Sequence, residues 1–335
     1  MKILLPFEIK DIGGTATFAA KFRDRVSFNG HTVLNHFQWK FDTLFIIADC
    51  PLWIPIYAKL TGKKVIQRLD GVYHLATPAG RLYPIYNLKM RIIHNFLADA
   101  VIYQSQFSKD CCEKFLGETA AKQTIIIYNG VDVEKIPRRD TSLPIRKPIK
   151  LLTFAKFRRR DQIEPILESV KLLGPESYSL DIYGSYTENL QSLFESLPDN
   201  IRFMGKQTNE TMLQLLSQYD IFLFSDQSAC PNSVLEAMAA GLPTIAFSRG
   251  SIPELIESGY NGEIVAIREH SDPFTDSYPF AERQYAMFAD AVTAVANDIV
   301  ILSTNSHERT ESRYNLPAMI RSYETLLTKN TKYAA

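Results

Sequence analysis

Asp220–Phe247 reads DIFLFSDQSACPNSVLEAMAAGLPTIAF, and this stretch decides the fold. DIFLFS and LPTIAF are short apolar runs of strand-forming residues, and NSVLEAMAAG between them is helix-forming. Pro231 precedes the helix start, Asn232 or Ser233 is expected to cap it, and Ser233 with Glu236 has the spacing of a capping box. Gly241 and Pro243 then close the helix. A strand, a short helix and a second apolar strand in succession form a parallel crossover, the unit of a doubly wound α/β sheet.

Glu236 admits two readings. In the structural one, its carboxylate returns a hydrogen bond to the Ser233 amide and nothing else is required. In the functional one, the helix starts at the carboxyl edge of a parallel strand, where first-turn N–H groups and partial positive charge meet phosphates. A carboxylate one turn further in then accepts two hydroxyls of a ribose.

The same alternation runs outward in both directions. IKLLTFA, SLDIYG, NIRFMG and GEIVAI accompany the quoted strands in the second half, with helical QIEPILESVKLL and NETMLQLLSQY between. In the first half KILLPF, TLFIIA, KKVIQRL, AVIYQS and TIIIYN are apolar enough to be covered on both faces of a parallel sheet. Between residues 133 and 149 the pattern lapses into the proline-rich, charged VEKIPRRDTSLPIRKPI, an exposed connection. The expected organisation is therefore two doubly wound domains, 1–147 and 148–311, facing each other across a cleft. A last helix within 312–335, with Met319, Ile320, Tyr323, Leu326 and Leu327 on one face, is expected to pack back onto the first domain.

Composition narrows the partners. Thirty-seven basic and thirty-seven acidic residues balance, so no global field points to nucleic acid. Four cysteines, Cys50, Cys111, Cys112 and Cys230, give neither a metal-ligand spacing nor a disulfide framework, which fits a reducing cytoplasm. The N-terminal MKILLPFEIKD is cut off by Glu8 and Lys10 before a secretory core forms, and reads as a buried strand. LFIIADCPLWIPIYAKL is broken by Asp49 and two prolines, short of the ~20 apolar residues a membrane span needs. There is no D-x-D pair, HExxH or Cys/His cluster, so no metal or other cofactor is expected, and no G-x-G-x-x-G for a dinucleotide.

PNSVLEAMAAGLPTIAFSRGSIPELIESGYNGEIV resembles the donor-binding core of the retaining glycosyltransferase family GT4, which has the GT-B fold. DIGGTATFAAKFRDRVSFNGHTV is similar to that family's glycine turn and first helix, AVIYQSQFSKD and TIIIYNGVDVEKI to its domain-ending strands, and RFMGKQTNETMLQLLSQYDIFLFSD to its base pocket. The resemblance implies a nucleotide-sugar donor with its diphosphate at Pro231, Asn232, Ser233, Val234 and Leu235, its ribose on Glu236, and its base near Gly205, Lys206 and Gln207. It implies Gly13 and Gly14 at the glycine turn, where paired glycines let backbone amides approach a diphosphate or sugar. Tyr73, His74 and Asn129 are expected on the acceptor side. Taken alone, His74 reads more readily as a packed or surface histidine than as a catalyst.

Three positions depart from the family pattern. The first of its two glutamates falls on Ser228, with Asp226 nearby but out of register. Its Arg-x4-Lys pair aligns with Lys156 and Asp161, which keeps one cation and inverts the other; Arg158 and Arg160 are expected to supply the lost charge, although RRR also reads as a solvated loop. Its usual histidine corresponds to Asp70, whose role stays open between an acceptor hydroxyl and positive charge developing on the sugar.

The expected activity is metal-independent transfer of a hexosyl group, with retention, from a UDP-sugar such as UDP-glucose or UDP-glucuronate to a hydroxyl of a glycan or lipid-linked saccharide. The alternative is a GT-B protein that binds sugar nucleotides with weak or no turnover. A hydrolase, isomerase or dinucleotide enzyme on a similar frame is a further alternative. Arg81–Phe96, RLYPIYNLKMRIIHNF, reads either as a peripheral contact with the inner face of an anionic membrane or as an amphipathic helix packed on its own sheet.

Overall fold

The computed structural model describes residues 1–7, 14–74, 77, 79–142, 144–267 and 280–328. The first sheet contains β1 (Lys2–Leu4), β2 (Thr32–Leu34), β3 (Thr43–Ile47), β4 (Lys64–Leu69), β5 (Ala100–Tyr103) and β6 (Gln123–Ile126), in the order β2-β1-β3-β4-β5-β6. The second contains β7 (Ile149–Phe157), β8 (Tyr178–Tyr186), β9 (Ile201–Gly205), β10 (Ile221–Phe224), β11 (Thr244–Phe247) and β12 (Gly262–Val265), in the order β12-β11-β10-β7-β8-β9. All neighbouring strands are parallel. Both sheets are doubly wound, and their strand order reverses between β1 and β3 and between β7 and β10.

The apolar runs become strands because nearly every side chain in them is buried. Thr43–Ile47, Ala100–Tyr103, Ile221–Phe224 and Thr244–Phe247 are buried throughout, as expected of strands covered on both faces. The short strand Thr32–Leu34 lies inside the stretch read as glycine turn and helix; three partly exposed residues carry too weak a pattern to be legible.

Contacts divide the chain into a first unit, Met1–Asn129 with Pro317–Ala335, and a second, Gly130–Leu316. The crossing point falls earlier than the expected 147/148 because residues 131–139 are tied to the second unit. Val131 bridges Asn315, the Arg139 amide donates to Ala240, and the Arg139 guanidinium grips Asp220 at 2.8 Å. In the first unit, Tyr323 of the helix Leu316–Thr328 packs with Phe18, Phe22 and Phe45 at ring separations of 5.3, 5.6 and 5.8 Å. The core of the second unit joins the strands to the helices Glu164–Lys171 and Glu282–Asn297 through residues such as Ile166, Val170, Phe288 and Val292.

Candidate functional site

In the second unit the reversal point between β7 and β10 is built by three loops. The helix Asn232–Ala239 begins at the end of the β10 loop, and its N-cap is Pro231, which is extended (φ −71°, ψ 117°) and makes no side-chain hydrogen bond to the first turn. The expected capping box is therefore not formed: the helix starts at Asn232, and Ser233 lies inside it. Glu236 sits one turn further on and is 5% exposed. The other end closes as read, with Gly241 at φ +81° and the Leu242 and Gly241 amides donating to Ala237 and Met238.

Lys156, the penultimate residue of β7, and Arg158 just beyond it are exposed, and neither side chain forms an ion pair with the described residues. Arg160 differs from expectation. Its guanidinium is taken by Glu164 in the first turn of the following helix, the i,i+4 partner that a helix surface offers. Asp161 is not a lost cation but a buried counter-ion. It accepts from Arg159 Nε at 2.9 Å and from Arg249 Nη2 at 3.0 Å, with side-chain exposure of 3%.

Arg159 also donates to Asp226 at 3.0 Å, and Arg249 donates its other terminal nitrogen to the Ser225 carbonyl at 3.1 Å. Two arginines and two aspartates thus neutralise one another at the carboxyl ends of β7, β10 and β11. Burial pushes the Asp226 carboxyl up from its ordinary value, with Arg159 pulling the other way. Arg159 is raised: burial opposes its charge, and the Asp161 and Asp226 carboxylates outweigh that. Gln162 accepts from the Arg158 and Arg159 amides at 2.6 and 3.1 Å, which fixes the loop that presents these cations.

Ser228 is held from behind by Gly250. That glycine has φ +57°, and a Cβ there would lie 2.5 Å from the Ser228 carbonyl oxygen and 2.7 Å from its nitrogen. The Ser251 amide donates to the same carbonyl at 3.0 Å. On the far side of the sheet Gly205 ends β9 with φ +72°, and Lys206 and Gln207 follow, exposed, before Thr208 caps the helix Asn209–Leu215.

In the first unit, Asp70 follows β4 and forms an ion pair with Arg68. Arg68, 1% exposed, donates from Nε to the Tyr323 hydroxyl and from Nη2 to Asn129 Oδ1, both at 2.9 Å, and lies 3.5 Å from the centre of the Phe18 ring. Asp70 and Asn129 are thereby brought together. His74 is not part of this group; it stacks on Phe115 at 5.5 Å. Tyr73 is clasped through its backbone by Asn87, while its ring lies against Tyr86 at 5.4 Å. Gly14 opens the helix Gly14–Phe28, and Gly13 lies outside the described residues.

Sequence reasoning missed Arg68, Arg159 and Arg249 as site residues, and read Tyr323 only as part of a packing face. A signal existed for the first, since an arginine inside an apolar strand is buried only with partners. The others are identified only by what they touch. Among the described residues no three His, Cys, Asp or Glu side chains converge as metal ligands.

Two doubly wound parallel sheets, with a helix start and two exposed cations at a strand-order reversal, have the arrangement at which open α/β sheets take ligands. Residues 148–278 match the family model described as Glycosyl transferases group 1. The chain is 24% identical over 211 residues to the putative colanic acid biosynthesis glycosyltransferase WcaL of Salmonella typhimurium, covering 59% of this chain and 49% of that protein. It is 27% identical over 157 residues to the amylovoran biosynthesis glycosyltransferase AmsK of Erwinia amylovora, covering 42% of this chain and 38% of that one. The chain thus spans half or less of these relatives' length. Among solved structures, sucrose-phosphate synthase from Thermosynechococcus elongatus superposes with a TM-score of 0.75 at 15% identity, covering 97% of this chain and 98% of that one. Anabaena Alr3699/HepE in complex with UDP-glucose superposes with a TM-score of 0.73 at 15% identity, covering 98% and 100%. At such identities the likeness establishes the fold, GT-B.

Proposed function

We propose that this protein transfers a hexosyl group from a nucleoside diphosphate sugar, UDP-linked by preference, to a hydroxyl of a glycan or lipid-linked saccharide, with retention of configuration. The observation that carries the reading is the pairing of a proline-capped helix with the exposed Lys156 and Arg158 at the β7/β10 reversal. The diphosphate would lie on the amides of Asn232 to Val234, the ribose on Glu236, and the base beside Gly205, Lys206 and Gln207. Negative charge building on the leaving diphosphate would be met by those amides and by Lys156 and Arg158, with no metal required. Such preorganised donors are worth ~3 kcal/mol each in an active site. The UDP-glucose complex of HepE and the biosynthetic glycosyltransferases among the relatives support this assignment.

Transfer on the front face of the sugar, with a phosphate oxygen taking the acceptor proton, needs no protein nucleophile. Asp70, held by Arg68 beside Asn129, is assigned to the acceptor. Calorimetric titration with UDP-, GDP- and ADP-sugars, against wild type and Glu236→Ala, tests the donor site. A UDP-sugar is expected to bind wild type and to lose at least tenfold in affinity in the variant. Equal binding by both proteins would remove Glu236 from the site, and no binding of any donor would remove the reading.

A lipid-linked acceptor at the inner face of an anionic membrane is favoured by one surface of the first unit. Residues 80–97 form short successive turns rather than one amphipathic helix, interrupted where Asn87 turns its side chain to Tyr73. They leave Leu82, Ile85, Tyr86, Leu88 and Phe96 more than half exposed, with Arg81, Lys89 and Arg91 and no acidic residue from Gly71 to Ala98. No single helix among the described residues is long and apolar enough to cross a bilayer. Co-flotation with anionic but not zwitterionic liposomes is expected, and failure to co-float removes the membrane from this account.

A further inference from the structure

The second unit holds a cavity that its proposed chemistry does not use. It measures about 330 Å³ and opens at the amino-terminal ends of β7 and β10, between Lys150 and Tyr219–Asp220 on one side and Arg139, Asp140, Pro144–Arg146 and Pro148 on the other. Along β7, Lys150 and Lys156 are six residues apart, which at ~3.3 Å per residue puts the cavity about 20 Å from the reversal point. The two sites therefore do not overlap.

Three cations line this cavity, Arg139, Arg146 and Lys150, against two carboxylates, Asp140 and Asp220. Both carboxylates are already engaged. Asp220 accepts from Arg139 Nε and Nη2 at 3.1 and 2.8 Å and from the Lys150 amide at 2.8 Å. Asp140 accepts from the amide and hydroxyl of Ser142 at 2.9 and 2.7 Å. The cations are not used up in return. Arg139 is 7% exposed, yet its Nη1 has no acceptor among the described residues, a costly state for a buried charged donor. The exposed side chains of Arg146 and Lys150 form no ion pair with the described residues either. Pro144, Ile145 and Pro148 supply an apolar wall. A concave site of this volume, with an apolar wall facing a polar, cation-bearing one, has the makings of a small-ligand site.

We propose that this cavity binds a small, multiply charged oxyanion, with Arg146 and Lys150 closing on it from the rim. Phosphates and polycarboxylates share this chemistry. The proposal does not rest on the glycosyl-transfer reading and stands or falls separately from it.

The test is calorimetric titration of the full chain with inorganic phosphate and, in a second arm, citrate, at constant ionic strength set with sodium chloride. Three proteins are compared: wild type, the rim double variant Arg146→Gln/Lys150→Gln, and Lys156→Gln as a control at the other end of the sheet. The rim residues are exposed, so their replacement leaves the fold intact, which circular dichroism verifies. Saturable binding of either anion that weakens about tenfold in the rim variant and is unchanged in the control supports the proposal, and the arm that shows it identifies the anion class. No saturable binding of either anion, equal binding by wild type and rim variant, or a loss confined to Lys156→Gln overturns it.

Discussion

Replacing Asp161 by lysine would return to this chain the cation that the family pattern carries at that position, and it is expected to damage the protein rather than improve it. The Asp161 side chain is 3% exposed and lies between two guanidinium groups. Removing it leaves Arg249, itself 4% exposed, with the Ser225 carbonyl and the face of the Phe280 ring 5.6 Å away among the described residues. A buried charge stripped of its partner costs about 3–5 kcal/mol. Arg159 is 39% exposed, so water screens its share and it adds little. Asp161→Asn keeps shape and one acceptor and should sit near 3 kcal/mol; Asp161→Lys adds repulsion from both arginines and should reach the upper end. Urea unfolding followed by far-UV circular dichroism reads the loss as a fall of at least about 1 M in midpoint. Both tryptophans, Trp39 and Trp53, belong to the first unit, so their fluorescence supplies a separate probe that should move less. If Asp161→Lys were as stable as wild type, or transferred sugar faster, the counter-ion account of Asp161 would be wrong.

Other outcomes follow from local geometry. Gly184→Ala should cost at least about 3 kcal/mol or prevent soluble expression, because φ is +124° and the new Cβ would lie 1.8 Å from the Ala155 carbonyl in the neighbouring strand; a normally stable variant would contradict the register. His94 is fully buried, bonded to the Tyr103 hydroxyl at 2.8 Å, and burial holds its pKa below the ordinary 6.5. Because the folded form disfavours the proton, its contribution is complete above the unfolded value near 6.5 and is lost as pH falls from there toward the lowered folded one. Urea midpoints measured from pH 7.5 down to 5 should fall more steeply for wild type than for His94→Gln, and parallel curves would refute this. Cys50 and Cys111 are pushed up to about 12 by burial, so at pH 8 iodoacetamide should label them more than about a hundredfold faster after unfolding than before, as peptide mass spectrometry reads.

The apolar runs from KILLPF to GEIVAI were sufficient to set out two parallel sheets, because a strand buried on both faces advertises itself by composition alone. Thr32–Leu34 was invisible for the opposite reason: at a sheet edge it is only partly covered. Within the site, helix Asn232–Ala239 and its glycine stop were readable, but its start was not, since Asn232 and Ser233 both offer a polar cap and the chain uses neither, capping instead on the extended Pro231. Arg159 and Arg249 are 90 residues apart in sequence and meet on one carboxylate. No spacing rule links them, so the inversion at Asp161 read as a defect until its partners were known. Arg160 shows the reverse error: it read, with Arg158, as a cation free to supply the lost charge, and a glutamate four residues on claims it.

The return of the chain to its first unit has a consequence for biosynthesis. Arg68 and the aromatic residues Phe18, Phe22 and Phe45 are translated early, whereas Tyr323, which caps the one and packs among the others, is among the last residues of the described chain to leave the ribosome. The second unit, continuous from Gly130 to Leu316, can complete itself while the first still waits with an open seam. A nascent chain stalled before Leu316–Thr328 emerges would therefore present a finished second unit and an unfinished first one, which is the species a chaperone or protease would meet.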